Sequence, residues 1–471
     1  MLYNLLSFAS VMTTFGYVLL ALLILMVMIT VHELGHYLVG KLFKFKINEF
    51  AIGMGPAIFK RKMKSGEDFS LRIFPFGGFC AFEGEDDDLD DPNAFNNKKP
   101  WQRILVLLAG ATMNYILALL VIVFSMGVYG QNTFGAGKFI ENPNYSGYSL
   151  LDDDIILSLK VDGKKTNIYM STDLISALNH QKKDTVVYAE IIRGGKQIKD
   201  VPIKLRSDVE CKNLTSVNST YEALGIGSTM MLSVSSDSKW FKEGDYIKQI
   251  VEDKNDIDGI KYNPNGKFLY TYDGFLDCVK DKKAGDEIVA WVGRVGYEVS
   301  QQVIIKFDSE WEGVVKKNKT EVLEYFGIKG YDYGYYVTST PQKLGFFKTI
   351  GHSLEYSVKI GGTVLRSLGQ LITGALGLNA VGGTVTTIIT TTKVLSYGTK
   401  YALEIIALIG VNLAVFNLLP IPALDGSRIV FCIIEWIRKK PISRKIEGLI
   451  HGIGLILILG FAVLVDLLQF I

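Results

Sequence analysis

The 471-residue chain has almost no net charge: 50 Lys and Arg against 48 Asp and Glu leave it at +2. With no strong basic excess, nothing points to nucleic acid as a partner. Cysteine is scarce. Cys80, Cys211, Cys278 and Cys432 stand without metal-ligand or disulfide spacing, and only Cys211 and Cys278 share a region, where a bridge is not expected. The first apolar run could pass for a signal peptide, but no basic segment precedes it and no small-residue cleavage site follows it, so the run is expected to stay in the mature protein. What the chain has in plenty is apolar surface: 48% of residues are hydrophobic and the mean hydropathy is +0.24, although the middle third is polar. That is too apolar for an ordinary soluble enzyme, and membrane and aqueous parts must coexist.

Four stretches are long and apolar enough to span a bilayer, about 14–42, 103–129, 402–422 and 449–470. The loop after the first is rich in Lys and Arg from Lys41 to Arg103, and the loop between the last two carries Arg438, Lys439, Lys440, Arg444 and Lys445. The positive-inside rule puts both loops in the cytoplasm, and both termini with the whole central region outside.

Within the first stretch stands His32-Glu33-Leu34-Gly35-His36. An acidic side chain at the centre of a spanning helix costs about 2.5–3.5 kcal/mol on insertion scales, so its presence there calls for a partner. On a helix, residues at i and i+4 lie one above the other, and both imidazoles reach one metal ion. Glu33 adjoins the first ligand, where it can serve as general base toward water that the metal activates. In soluble helices the same five residues arise from histidines that cap or snorkel; in hydrocarbon a Glu between two His needs the partner that a metal supplies. His180, His352 and His451 have no such company and read as surface or packing residues.

Residues 43–82 mix apolar pieces with Gly53, Gly55, Pro56, Pro75, Gly77 and Gly78, the pattern of short strands and turns. A hairpin dipping toward the membrane beside the metal would offer an edge to an extended substrate backbone; a plain cytoplasmic loop with a small sheet is the alternative. The acidic run Glu83–Asp91 reads as a solvated loop. From about 130 to 310 one sub-pattern appears twice. Leu150–Leu157, a helix near Thr172–His180 and strands Val186–Arg193 and Gln197–Leu205 are echoed by Trp240–Ile247, a helix near Tyr272–Lys280 and strands Glu287–Gly293 and Glu298–Phe307. Two related small domains in tandem are expected. Over 345–376, Phe347, Ile350, Leu354, Val358, Leu365, Leu368 and Ile372 recur at helical spacing. This predicts an amphipathic helix, either lying in the membrane interface or packed over the second small domain. Gly374–Thr392 reads as a loop that re-enters the membrane.

A catalytic zinc site takes three protein ligands and keeps one position open, so two imidazoles need a carboxylate from elsewhere. The third apolar stretch runs through Asn412 and Asn417 to Pro420-Ile421-Pro422-Ala423-Leu424-Asp425-Gly426. Its two prolines end helical hydrogen bonding at membrane depth, which is tolerated only against protein or a wet cavity. Asp425 is the candidate third ligand, although an Asp after a proline break is more often a helix cap. Zinc follows from ligand type, and another divalent ion suits the same two-nitrogen, one-oxygen set.

These two motifs, HExxH at 32–36 and NxxPxPxLDG at 417–426, make the chain resemble the site-two proteases, intramembrane zinc metalloproteases, in the bacterial subgroup with extracytoplasmic PDZ domains. Gly53-Met54-Gly55-Pro56, Phe76-Gly77-Gly78-Phe79, Asn114 and Trp101-Gln102-Arg103-Ile104 add to the likeness, which covers almost the whole chain. Ala111 stands where the family commonly has Pro, Ser427 where it has a second Gly, Asn379-Ala380-Val381-Gly382 lacks an expected Gly-Pro, and Asp153-Asp154 replaces Gly-Asp in the first small domain, whereas Gly244-Asp245 keeps it. The resemblance implies a polytopic α-helical membrane protein of about four transmembrane helices, with a membrane-associated β region and tandem PDZ-like α+β domains. By the same resemblance His32, His36 and Asp425 bind Zn2+, Glu33 is the base, and Asn417 helps to hold the substrate or its oxyanion. The implied activity is cleavage of membrane-spanning proteins within the bilayer, as the second cut of a cascade acting on anti-sigma factors or remnant signal peptides, in a bacterial inner membrane. Peptide ends are implied as ligands of the PDZ-like domains. The expected division is 1–42, the first transmembrane helix; 43–102, the β region and acidic loop; 103–129, the second transmembrane helix; 130–220 and 221–310, the PDZ-like domains; 311–401, the amphipathic helix and connecting segment; 402–427, the third transmembrane helix; and 428–471, a cytoplasmic loop and the fourth. A scaffold with a structural metal has no use for Glu33, and a metal transporter predicts more polar residues along its path than Asn114, Asn412 and Asn417.

Overall fold

The computed structural model describes residues 2–85, 90–136, 150–151, 154–206, 211, 214, 217–226, 228–251, 267–268, 272–293, 301–335, 337–378, 381–396, 398–440 and 442–470. They form two units, Met1–Tyr129 with Leu344–Ile471, and Gly130–Lys343. The first unit opens with helix α1 (Leu2–Leu42), strands β1 (Ile47–Lys62) and β2 (Asp68–Phe82), and helix α2 (Pro100–Tyr129). Pro100 occupies the first helical position of α2, where its fixed φ is already helical and its missing N–H costs nothing. Helices α1 and α2 touch backbone to backbone: any side chain at Gly35 would collide with the Ala109 carbonyl. In an apolar medium, small residues of this kind are what let helices approach.

The short strands expected over 43–82 are two long, bent ones. Phe50 faces Cys80 on one side and Phe69 on the other, Ile52 faces Gly78 and Leu71, and Lys60 to Lys62 run against Ser70 to Asp68. Residues 47–52 are thus an inner strand and 78–82 an outer one. The bend of β1 falls at Gly53 and Gly55, with φ of 86° and 84°, a region closed to most side chains. Where β1 returns, Ile58 and Phe59 are exposed, whereas Phe45, Ile47, Phe50, Phe82 and Phe95 bury against Val106 and Leu107 of α2.

The second unit contains β3 (Gln131–Ala136), β4 (Ile155–Val161), β5 (Lys164–Asn167), α3 (Ser171–Leu178), β6 (Val186–Arg193), β7 (Lys196–Lys204) and α4 (Val217–Ala223). There follow β8 (Ser228–Val234), β9 (Tyr246–Val251), β10 (Lys267–Phe268), α5 (Tyr272–Val279), β11 (Glu287–Gly293), β12 (Gln301–Lys306), α6 (Trp311–Val314), α7 (Lys319–Tyr325), β13 (Ile328–Tyr335) and β14 (Val337–Gln342). Two sheets result, ordered β14-β3-β4-β6-β7 and β13-β8-β9-β11-β12, with β5 and β10 added at matching places. The repeat extends to single hydrogen bonds. Leu151 N–H donates to Asp154 Oδ2 at 2.7 Å just before β4, and Lys242 N–H donates to Asp245 Oδ2 at 2.9 Å just before β9. Asp153, the departure noted above, lies outside the described residues; Asp154 is fully buried and takes both arms of Arg193 at 2.7 Å.

The division drawn from sequence at residue 310 falls short of the second sheet. Trp311, Val322, Leu323, Phe326 and Ile328 belong to its core, and β13 closes it. β14 then returns to pair with β3, so the second sheet is nested inside the first. Closing strands pair with residues some hundred or two hundred positions earlier, and nothing local in them announces it. Cys211 and Cys278 are separate buried thiols.

The first unit resumes with α8 (Phe346–Ile372), α9 (Thr384–Ser396), α10 (Thr399–Asn417), α11 (Asp425–Arg438) and α12 (Arg444–Phe470). Among the described residues, four helices are long and apolar enough to cross a membrane: Met12–Leu42, Pro100–Tyr129, Thr399–Asn417 and Lys445–Gln469. The predicted amphipathic helix α8 packs on α2 and α10 with its small polar side. Thr349, Ser353 and Ser357 are buried, and Tyr115 and Ser357 share a hydrogen bond of 2.8 Å between hydroxyls. Its apolar stripe of Phe347, Leu354, Val358, Leu365 and Ile372 faces outward. The loop expected up to Thr392 is instead helix from Thr384, and the reason is a cap that lies 80 positions away. Asp466 of α12 accepts from the Val385 and Thr386 N–H groups at 2.9 and 3.0 Å, filling the orphan donors of the first turn. Asn379 and Ala380 lie outside the described residues.

Candidate active site

Helices α1, α2 and α11, strand β2 and the end of α10 each deliver one part of a single cluster. On α1, His32 and His36 stack at i and i+4 with ring centroids 4.7 Å apart and Nε2 atoms 3.1 Å apart. The break after Asn417 leads through Pro420 and Pro422 into α11, whose first residue is Asp425. Its Oδ2 lies 3.0 Å from His32 Nε2 and 3.3 Å from His36 Nε2. Asp425 therefore heads a helix, as an Asp after a proline break does, and in the same position meets the histidines. Gly426 makes the turn achievable, since any side chain there would strike the Leu418 and Leu419 carbonyls at the end of α10.

Whether the residues suit a metal is decided by their donors. The His36 Nδ1 lies 2.8 Å from the Val106 carbonyl, which can only accept, so Nδ1 carries the proton and Nε2 presents a lone pair. His32 Nδ1 sits 3.4 Å from the Asn417 Nδ2, which can only donate, so Nδ1 accepts from it. The two Nε2 atoms and a carboxylate oxygen converge on one point, where a cation would take the place of the protons that otherwise link them. Ligands of a tetrahedral zinc with bonds of about 2.0–2.1 Å stand about 3.3 Å apart. The observed separations of 3.0–3.3 Å match that figure. Among the described residues this is the one group of three His, Cys, Asp or Glu ligand atoms within metal-binding reach of one another.

Glu33 lies beside the cluster, and its Oε2 accepts from the Cys80 N–H of the outer strand at 3.0 Å. Gly78, two residues earlier on that strand, passes close enough that a methyl group would touch Glu33 Cγ at 3.6 Å. Burial, helped by the neighbouring Glu33 carboxylate, pushes the Cys80 thiol up. All five residues singled out from sequence, His32, Glu33, His36, Asn417 and Asp425, thus come together. Three contributors escaped notice: the Val106 carbonyl and the Cys80 N–H, which are backbone atoms without a residue signature, and Gly110. A methyl on Gly110 would lie 2.5 Å from His36 Nε2 and 2.7 Å from His32 Cε1, so its bareness is what lets the imidazoles sit where they do.

Membrane-length helices around a His-His-Asp cluster with an adjoining glutamate are the parts of a membrane-embedded metallopeptidase. The model of peptidase family M50 matches residues 20–461, and the chain belongs to that family, the site-two type of zinc metalloprotease. It is 29% identical to a Clostridium perfringens protein provisionally named a zinc metalloprotease, over 96% of this chain and 97% of that one. Similar proteins named regulator of sigma E protease occur in Haemophilus influenzae, at 25% identity over 93% of this chain and 94% of that one, and in Salmonella typhimurium, at 26% over 93% and 96%.

Proposed function

We propose that this chain hydrolyses peptide bonds within membrane-spanning segments of other proteins, with His32, His36 and Asp425 holding zinc, Glu33 as general base and acid, and Asn417 as a substrate-holding group. The observation that carries this reading is the triangle of nitrogen and oxygen atoms 3.0–3.3 Å apart with a carboxylate alongside. A bound zinc ion supplies a Lewis acid that makes water a nucleophile near neutral pH and polarises the carbonyl under attack. Glu33 then takes the proton of the attacking water and returns it to the leaving amine, while its present partner, the Cys80 N–H, keeps the carboxylate facing the cluster. The Asn417 amide, already directed at His32, donates to the developing oxyanion.

A transmembrane helix has its carbonyls hydrogen-bonded internally and must unwind before attack. The outer strand 78–82 supports capture of the unwound piece by strand addition, replacing the bonds lost on unwinding. The two nested sheets are read as PDZ-like domains that admit only substrates already trimmed outside the membrane, making this the second of two cuts. Relatives named as regulators of sigma E protease make membrane-anchored anti-sigma factors the favoured substrates, with remnant signal peptides as the other class. The Lys- and Arg-rich loops support a cytoplasmic face bearing the β region, with termini and PDZ-like domains outside a bacterial inner membrane. The test is a purified chain with a model transmembrane substrate. Glu33→Gln is expected to lose cleavage by about 10²–10⁴-fold, the usual worth of a positioned general base, and undiminished cleavage would remove Glu33 from the chemistry.

A further inference from the structure

The turn that delivers Asp425 leans on the last helix, and we infer that His451 is the residue that positions it. Ala423, two residues before Asp425, has φ of 77°, left-handed backbone that a residue with a side chain adopts only when its surroundings hold it there. Its N–H, turned away from the chain's own carbonyls by that conformation, donates to His451 Nδ1 at 3.0 Å. In hydrocarbon an amide has no water to fall back on, so this one acceptor weighs heavily. Three further contacts fix the imidazole and the turn together. Phe431 of α11 meets the His451 ring edge to face at 5.6 Å, Glu447 Oε1 lies 4.0 Å from Nε2 on the far side, and Gly454, the next residue along the same face of α12, is pressed so closely to Pro422 that a methyl group would collide. From the other side Gly426 seats the turn on the end of α10. His451 is a positioning residue: it acts through the Ala423 amide, on the place of the Asp425 carboxylate. It read from sequence as a mere surface or packing histidine.

The inference rests on the reading of Asp425 as a metal ligand, and the experiment separates the two. The full chain in detergent is stripped of metal, and zinc affinity is measured by competition with a chelating dye for the native protein, His451→Phe, His451→Asn and Asp425→Ala. Phe keeps the ring and removes the acceptor; Asn keeps an acceptor at the δ position. His451→Phe is expected to weaken zinc by at least about tenfold, the usual effect of losing a group that orients a ligand, and to lower kcat with KM little changed, while His451→Asn returns to near the native affinity. Should His451→Phe not fold, His451→Leu, smaller and likewise without an acceptor, is read in its place. Native zinc affinity in the acceptor-less variant beside a weakened Asp425→Ala would overturn the inference and leave the ligand reading intact. Equal losses in His451→Phe and His451→Asn would overturn it too, since the acceptor would then be irrelevant. Native affinity in Asp425→Ala would bring down both.

Discussion

Gly110→Ala is the sharpest single perturbation of the site, because it adds one methyl group and leaves every proposed ligand unsubstituted. The methyl would sit 2.5 Å from His36 Nε2 and 2.7 Å from His32 Cε1, short of ordinary contact at 3.4 Å by about 0.9 Å for the nearer atom. His36 cannot swing away freely, since its Nδ1 is tied to the Val106 carbonyl at 2.8 Å. Metal–ligand distances tolerate only about ±0.2 Å, so a shift of that size takes at least one nitrogen out of bonding range. We expect zinc affinity to fall at least about tenfold and kcat/KM by about 10²-fold, the effect of a misplacement near 1 Å. Overpacking should cost about 1–3 kcal/mol of stability, leaving a folded protein. The assay is zinc content after dialysis together with cleavage of a model substrate. Gly127→Ala serves as control on the same helix, where a methyl meets nothing within 4 Å and should change neither quantity. Full zinc occupancy with native cleavage in Gly110→Ala would refute the account of how the histidines are seated.

Arg103 is 2% exposed and pairs with Glu435 at 2.5 Å, joining α2 to α11. Glu435→Ala strands a buried guanidinium and should destabilise the chain by about 3–5 kcal/mol, read by denaturation in detergent. Glu67 is raised by burial, but the hydrogen bonds from Lys41 and Tyr37, both 2.7 Å, outweigh this and hold it down at about 2. A depressed carboxylate stabilises above its ordinary pKa of 4.5 and loses that contribution as pH falls toward about 2. The stability gap between native and Glu67→Gln should therefore be constant above about pH 5 and narrow on acidification; a gap that persists unchanged to about pH 2 contradicts the pairing. Ser357→Leu should loosen α8 from α2 by about 1–3 kcal/mol through overpacking against Tyr115. A substitution of the exposed Val358 by Leu should not.

The chemistry was legible because its residues are out of place where they stand. A Glu and two His in an apolar run, and two prolines at the end of another, violate what a spanning helix prefers, and both violations lie at the cluster. The tandem sheets were legible because the turn Asp154 makes before β4 recurs with Asp245 before β9. What escaped depends on partners far along the chain. The Thr-rich helix α9 has poor propensity and no cap of its own, and only Asp466 on α12 supplies one. β14 closes the first sheet from beyond the second. On α8 the apolar stripe drew attention, yet the buried face is Thr349, Ser353 and Ser357 with Ile360, because in an apolar medium small residues let helices approach closely. Gly110 and His451 carried no pattern at all; their importance is a matter of which atoms a fold brings within 3 Å.

Zinc K-edge X-ray absorption on the purified chain tests the central claim most directly. One zinc per chain, surrounded only by nitrogen and oxygen at about 2.0–2.2 Å with two imidazole signatures, and lost in Asp425→Ala, is the predicted result. Sulfur at about 2.3 Å, or a spectrum unchanged by Asp425→Ala, would contradict it.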